Sequence, residues 1–247
     1  MTFPRFQFFS VFPFALWILA IVSPNVTAAA EETSSRSEAD AVDSITLTSH
    51  PDDRLLICGS NFSGGNSNPM RIGGDGAGKN LNAMLIFELP AIEPGLKVQS
   101  AQISVFVTQV LVKEDQTADA YGIGWSPEPT LESLIEHADF FDNVGSLGYT
   151  SDQDDAQAVK VADGLLNGQT VAGQRQTTDE STGHDLARWI NDQYRFGAEP
   201  GDYVFLRLNP AFAPHTRDVG WSIRAGNHDS PDDTKPWLKL SFGPTSE

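Results

Sequence analysis

Alternation of apolar and polar residues with a period of two is the dominant pattern of this chain. In QSAQISVFVTQVLV (99–112), Ala101, Ile103, Val105, Val107 and Leu111 fall on one face and Gln102, Ser104 and Thr108 on the other, as in a strand with one buried side. DYVFLRLN (202–209) repeats the pattern, with Val204, Leu206 and Leu208 pointing one way and Tyr203, Phe205 and Arg207 the other. The C-terminal WLKLSF sets Leu238, Leu240 and Phe242 opposite Trp237, Lys239 and Ser241. Shorter strand-like stretches lie at Ile45–Thr48, Arg54–Cys58, Ala83–Leu89, Ala120–Trp125, Ala158–Ala162, Thr170–Thr177 and Val219–Ala225.

Turn signals separate most of these runs: Glu93-Pro94-Gly95, Glu199-Pro200-Gly201-Asp202 and Ser230-Pro231-Asp232-Asp233. Two stretches change to helical spacing. Thr130 is placed to cap the first, over 131–141, where Leu131, Leu134, Ile135 and Ala138 make an apolar stripe. In the second, Thr182 is placed to cap, with Asp185 three residues on, and Leu186, Trp189, Ile190 and Tyr194 recur at helical intervals. Trp189 belongs with the core, as large aromatics do. Many short strands without a βα rhythm predict an all-β fold, an antiparallel jelly-roll-like β-sandwich with two short helices closing an open end.

The N-terminus follows a different logic. Met1–Phe9 carries one basic residue, Arg5, and no acid, and Phe12–Val22 is apolar throughout. Val26-Thr27-Ala28-Ala29-Ala30 offers cleavage after Ala28 or Ala30, so residues 1–30 read as a secretory signal peptide. The apolar run is too short to span a membrane, and no later segment reaches spanning length. The mature protein is expected to be exported and soluble, extracellular or periplasmic. Residues 31–43 are polar and charged, as a disordered acidic linker should be. Residues 44–243 are enough for a single β-sandwich domain with a proper core, followed by a tail at 244–247.

Loss of Arg5 with the leader takes the formal net charge from −17 to about −18. Such an excess of acids argues against nucleic acid and against anionic membrane surfaces, since phosphate binding needs Lys and Arg. Cys58 is the only cysteine, so no disulfide framework is available within the chain. Alternation with Leu56 makes it a buried structural thiol.

The order of these pieces resembles the DNRLRE domain family of secreted bacterial proteins, which is related to alginate-binding carbohydrate-binding modules. The matching stretches are Asp53-Arg54, a Gly/Asn-rich segment from Asn66 to Gly78, and Met84–Pro90 with its Phe-Glu-Leu-Pro ending. Gly95–Ala101, with the spacing Gly-x-x-Val-x-Ser-Ala, comes next. Trp189 on its helix, Gly201, Val204–Leu208 and Lys235-Pro236-Trp237-Leu238 follow in order. The resemblance covers about residues 44–243. It implies a jelly-roll-like sandwich used for adhesion, substrate binding or surface structure within larger extracellular proteins. Here no enzyme domain is expected beside it, and the resemblance carries over no ligand-binding residues.

Chemical motifs are few. Gly73–Asn80 approaches a phosphate-binding loop, but Asn80 replaces the Ser or Thr that would bind Mg²⁺, and a strand pattern follows where a helix is required. A glycine loop is the plain alternative. There is no G-x-S-x-G elbow, and His50, His137, His184, His215 and His228 never fall at metal-ligand spacing. Acids are too numerous to single out a glycosidase pair. Asn227, Asp229, Asp232 and Asp233 gather hard oxygens in one turn and make a candidate structural calcium site; Asp152–Asp155 is a second acidic turn. For a sugar ligand, Trp125 at a loop edge and the polar stripe Arg224, Asn227 and His228 are the candidate contacts, provided the fold joins them. Trp221 is expected to face inward, Ser222 and Arg224 outward, and Trp237 to project from its sheet. The expected function is a secreted non-catalytic module that binds an extracellular polymer, polysaccharide above all, or serves surface structure or adhesion, with an extracellular polysaccharide or a surface protein as partner. The alternative is a polysaccharide-active hydrolase or lyase without a local signature.

Overall fold

Where apolar residues alternate, the backbone pairs. The computed structural model describes residues 43–58, 63–65, 68–78, 80–112, 116–130, 159–211, 217–227 and 229–245. The leader 1–30, the linker to residue 42, the expected helix 131–141, the acidic turn 152–155, His228 and the side chain of Cys58 lie outside the described residues. The strands are β1 (Ser44–Thr48), β2 (Arg54–Cys58), β3 (Ser63–Gly65), β4 (Met70–Asp75), β5 (Asn80–Glu88) and β6 (Leu96–Val112). They continue with β7 (Ala118–Ser126), β8 (Val159–Leu166), β9 (Gln174–Thr177), β10 (Tyr203–Pro210), β11 (Asp218–Ile223) and β12 (Trp237–Pro244). One helix among the described residues, α1 (Glu180–Arg195), lies between β9 and β10.

The pairings are antiparallel and link all twelve strands into one sheet in the order β1-β12-β6-β11-β4-β5-β10-β7-β8. β2 and β3 extend it from β5, and β9 from β6. The sheet curls, so strands far apart in that order share one core. Met70, Ile72, Ile103, Val105, Trp221, Leu238 and Leu240 meet Leu85, Phe87, Ala120, Val161, Leu206 and Leu208 in a single apolar cluster. Each fully buried Leu, Ile or Phe there contributes about 1.5–3 kcal/mol, which suits a fold with no disulfide within the chain.

Several expectations change in detail. β6 keeps its predicted face from Ala101 to Val107, but Val110 rather than Leu111 packs on the core. Extra residues on β6 opposite Ser222–Ile223 and Gly220–Trp221 shift the register with β11. Phe205 and Arg207 of β10 were expected on an open face, yet both are buried, at 1% and 2% exposure. Ser222, expected outward, is buried as well. Gly73 and Gly74 belong to β4 and pair with Gly220 and Val219, so the glycine segment is partly strand rather than loop.

α1 starts two residues before Thr182. The carbonyl of Asp179 accepts the amide of Gly183 at 3.0 Å, which makes Asp179 the capping position. Leu186, Ala187, Trp189 and Ile190 form the buried stripe, while Asp185 and Arg188 face solvent. Trp189 packs closely against Gly122, where any Cβ would run into its ring. Asn191 fixes the helix to β6 twice, accepting from the Val98 amide at 3.1 Å and donating to the Val98 carbonyl at 2.8 Å. Among the described residues no helix is long and apolar enough to cross a membrane.

Candidate functional site

The outer face of the sheet around β6 carries the polar and aromatic side chains that the core excludes. Because Ala101, Ile103, Val105 and Val107 point inward, Ser104 and Phe106 point outward. Residues directly opposite each other in a ladder share a face. Phe106 pairs with Arg175 of β9, and Ser104 pairs with Thr177 on one side and Trp237 of β12 on the other. Lys239 pairs with Gln102 in the next row. On the β11 side the amide of Arg224 donates to the Phe106 carbonyl at 3.0 Å, and its alternation with the core residues Ile223 and Ala225 turns its side chain outward as expected. Trp237 and Phe106, both half-buried, therefore lie on one face with the two arginines.

Arg175 is the organising residue of this face. Its guanidinium stands over the Trp237 ring, 5.9 Å from the centroid, in cation–π geometry. The same group donates to the carbonyls of Asp233 and Lys235, the latter at 2.9 Å, and so fastens the turn that leads into β12. Burial lowers the Arg175 pKa from its usual value, opposed by Asp233. Among the described residues, Nη1 of Arg175 and Nε of Arg224 are buried without an acceptor. Thr177 and Ser104 join hydroxyls at 2.9 Å beside the indole.

The turn 224–235 is held from beneath as well. Asn68 donates to Asn227 Oδ1 at 3.2 Å and to Ser230 Oγ at 3.0 Å, and the Ser230 amide closes on the Asn227 carbonyl at 3.1 Å. Under it sits Asp53, 1% exposed, whose Oδ1 accepts the Ile86 amide and whose Oδ2 accepts the Gly226 amide, each at 2.9 Å. Burial pushes the Asp53 carboxyl up to about 7, while the Ser49 hydroxyl and the two amides pull it back down. Sequence reasoning missed Asn68, Arg175 and the part played by Asp53. Their roles depend on partners far away in the chain, and no local spacing signals them.

Of the expected calcium ligands, Asp229, Asp232 and Asp233 are exposed, and Asn227 has its oxygen on Asn68. Asp232 pairs with Lys235 at 2.7 Å, which holds its carboxyl below the usual range. Among the described residues no three His, Cys, Asp or Glu side chains group closely enough to hold a metal ion. In this arrangement the side-chain oxygens of Asn227 and Asp232 are engaged by Asn68 and Lys235.

Trp125, the other expected sugar contact, is half-buried against the core and pairs with Val204, which pairs with Phe87. Its side chain lies on the core side of the sheet, whereas Arg224 points outward. Arg224 and Trp237 thus both meet β6, at Phe106 and Ser104 respectively, whereas Trp125 packs against the core. A separate groove of about 730 Å³ runs between α1 and the start of β6, lined by Lys97, Gln99, Arg188, Asn191, Asp192 and Thr245 among others. It is open, and no aromatic ring lines it among the described residues.

No model of a known protein family matches the chain. No curated protein matches its sequence.

Proposed function

We propose that this chain is an extracellular, non-catalytic module that binds an acidic polysaccharide on the outer face of β12, β6 and β9. We further propose that its curled sheet is a jelly-roll-like β-sandwich of the DNRLRE kind. The observation that carries the functional reading is the row Arg175–Phe106–Arg224 beside Trp237. A sugar ring presents C–H groups that remove water from an indole, and its hydroxyls find Thr177, Gln102 and Lys239 in neighbouring rows. Guanidinium matches a carboxylate in planar, bidentate geometry, so uronic acids are the favoured class. In a chain with 33 acids and 16 basic residues, two arginines and a lysine on one aromatic face are a local exception to the overall charge.

The sandwich reading is supported by the core, which draws on β4, β6, β11 and β12 from one half of the strand order and β5, β7, β8 and β10 from the other half. Secretion rests on the leader pattern of residues 1–30. The test is binding of the purified protein to a panel of acidic and neutral polysaccharides by affinity electrophoresis and calorimetry. The same panel is assayed for reducing ends and unsaturated uronides. Binding without product supports the module; product release overturns the non-catalytic reading in favour of a hydrolase or lyase.

A further inference from the structure

Sheets with free edges need protection, and here the edges differ. β8 ends the strand order at one side and carries Lys160 and Asp163, with register shifts along its pairing to β7. β9 is four residues long and bears Arg175. Charge, irregularity and brevity are the usual means by which an edge is kept from pairing with another chain. β1, at the other end of the order, has the sequence SITLT, with no charge and no proline. It is almost wholly exposed, and Ile45 is 38% exposed.

The hydrogen-bond directions of β1 are fixed by its neighbour. The Phe242 amide donates to the Asp43 carbonyl, and the Ser49 amide to the Pro236 carbonyl. With the register Ile45↔Leu240 and Leu47↔Leu238 between them, the odd-numbered residues bond toward β12. Ser44, Thr46 and Thr48 therefore direct their amides and carbonyls to the free side, where β1 has no partner strand among the described residues. Beside Ile45 lies a pocket of about 280 Å³ whose walls include Pro90, Ile92, Leu96 and Phe242.

We propose that β1 pairs edge to edge, antiparallel, with β1 of a second copy of this chain. The choice of partner comes from the strand itself. Polar and apolar residues alternate symmetrically about Thr46, so a dyad there sets Thr46 against Thr46, Ile45 against Leu47 and Ser44 against Thr48. Thr46, Ser44 and Thr48 are the residues with outward amides, so the symmetric register also satisfies the ladder's alternation of bonded pairs. The pairing places the apolar Ile45 and Leu47 of both copies over the pocket side. It also continues the outer face, because Thr46 and Thr48 lie in the rows of Lys239 and Trp237. A contact of one short strand and a pocket rim is small, of the class below about 1,200 Å² that gives transient association. The pairing does not depend on the ligand proposed for that face.

Sedimentation velocity of the purified protein from about 1 μM to about 1 mM tests it, a range suited to weak dimers. The expected result is a monomer that shifts to dimer as concentration rises. Thr46→Pro removes an outward donor while leaving the β12 ladder intact, as proline does on edge strands. Thr46→Lys sets two cations opposite each other at the dyad. Both variants are expected to weaken the dimer at least tenfold, and Thr46→Lys to do so with an unchanged melting curve. Thr46→Lys alone decides the matter where proline disturbs the fold. A wild-type monomer at every concentration, or a dimer indifferent to Thr46→Lys, overturns the proposal.

Discussion

The carboxylate of Asp53 accepts the amide of Gly226 at 2.9 Å across 173 residues of sequence. Its other oxygen takes the Ile86 amide, which lies opposite Phe205 in the β5–β10 ladder. The Ile86 carbonyl accepts from His50 at 2.7 Å. One side chain thus completes the edge of β5 where β2 has not yet begun, and ties to it the turn that bears Asn227 and Arg224.

Close approach makes Gly226 indispensable at this junction. A Cβ there would stand 2.4 Å from the Ser49 carbonyl oxygen and 2.6 Å from that of His50, both backbone atoms that cannot swing away. Gly226→Ala is expected to destabilise the fold by about 1–3 kcal/mol, the usual cost of overpacking. For a domain of this size that is a fall of roughly 2–10 °C in melting temperature. Circular dichroism melts of the two proteins check it, and an unchanged melt contradicts the packing described.

Asp53 also gives stability a pH dependence. Its folded pKa of about 7 lies above the ordinary 3.8, so the folded state holds the proton more tightly than the unfolded one. The stabilisation is complete below about pH 4, fades as pH rises toward 7, and is flat beyond, with an upper bound of about 4 kcal/mol. Asp53→Asn cannot titrate. The difference in melting temperature between wild type and Asp53→Asn is expected to be largest at about pH 4 and to shrink toward pH 7. A difference that is constant or grows with pH contradicts the assigned direction.

The turn 227–233 is held by side-chain contacts, and its oxygens are committed to them. Asn68→Ala removes the donor shared by Asn227 and Ser230 and is expected to cost about 1–3 kcal/mol, the price of stranding part-buried acceptors. Calcium at millimolar concentration, compared with chelator, is expected to leave the wild-type melt unchanged, because Lys235 and Asn68 hold Asp232 and Asn227. A rise of several degrees, lost in Asp229→Ala, would show that the turn rearranges around an ion.

Much of the strand pattern was legible because burial of one face imposes period two. Ala101–Val107 and Leu238–Leu240 fold as their alternation indicates, and Val204, Leu206 and Leu208 enter the core as theirs does. Turns followed from Pro and Gly: Leu96 closes on Glu93 and Asp202 on Glu199, each at 3.0 Å. Less legible were places where neighbours override local pattern. Phe205 and Arg207 alternate like an open face but are buried, and the β6 register shifts move Val110 to the core. The site was half legible. Arg224 falls in the row of Phe106 and Arg175, while Trp125 packs against the core, because strand order rather than sequence distance decides which rows meet.

Affinity for an acidic polysaccharide, measured by calorimetry on wild type and on Trp237→Ala, Arg175→Ala and Arg224→Ala, tests the central claim most directly. Each truncation is expected to weaken binding by about 1 kcal/mol or more, roughly fivefold. Arg224→Ala should lose more on a uronic-acid polymer than on a neutral one, and its loss should shrink as salt rises. Trp125→Ala, on the core side, should leave the affinity of the folded protein unchanged. A folded Trp237→Ala/Arg224→Ala double variant that binds as tightly as wild type would contradict the account.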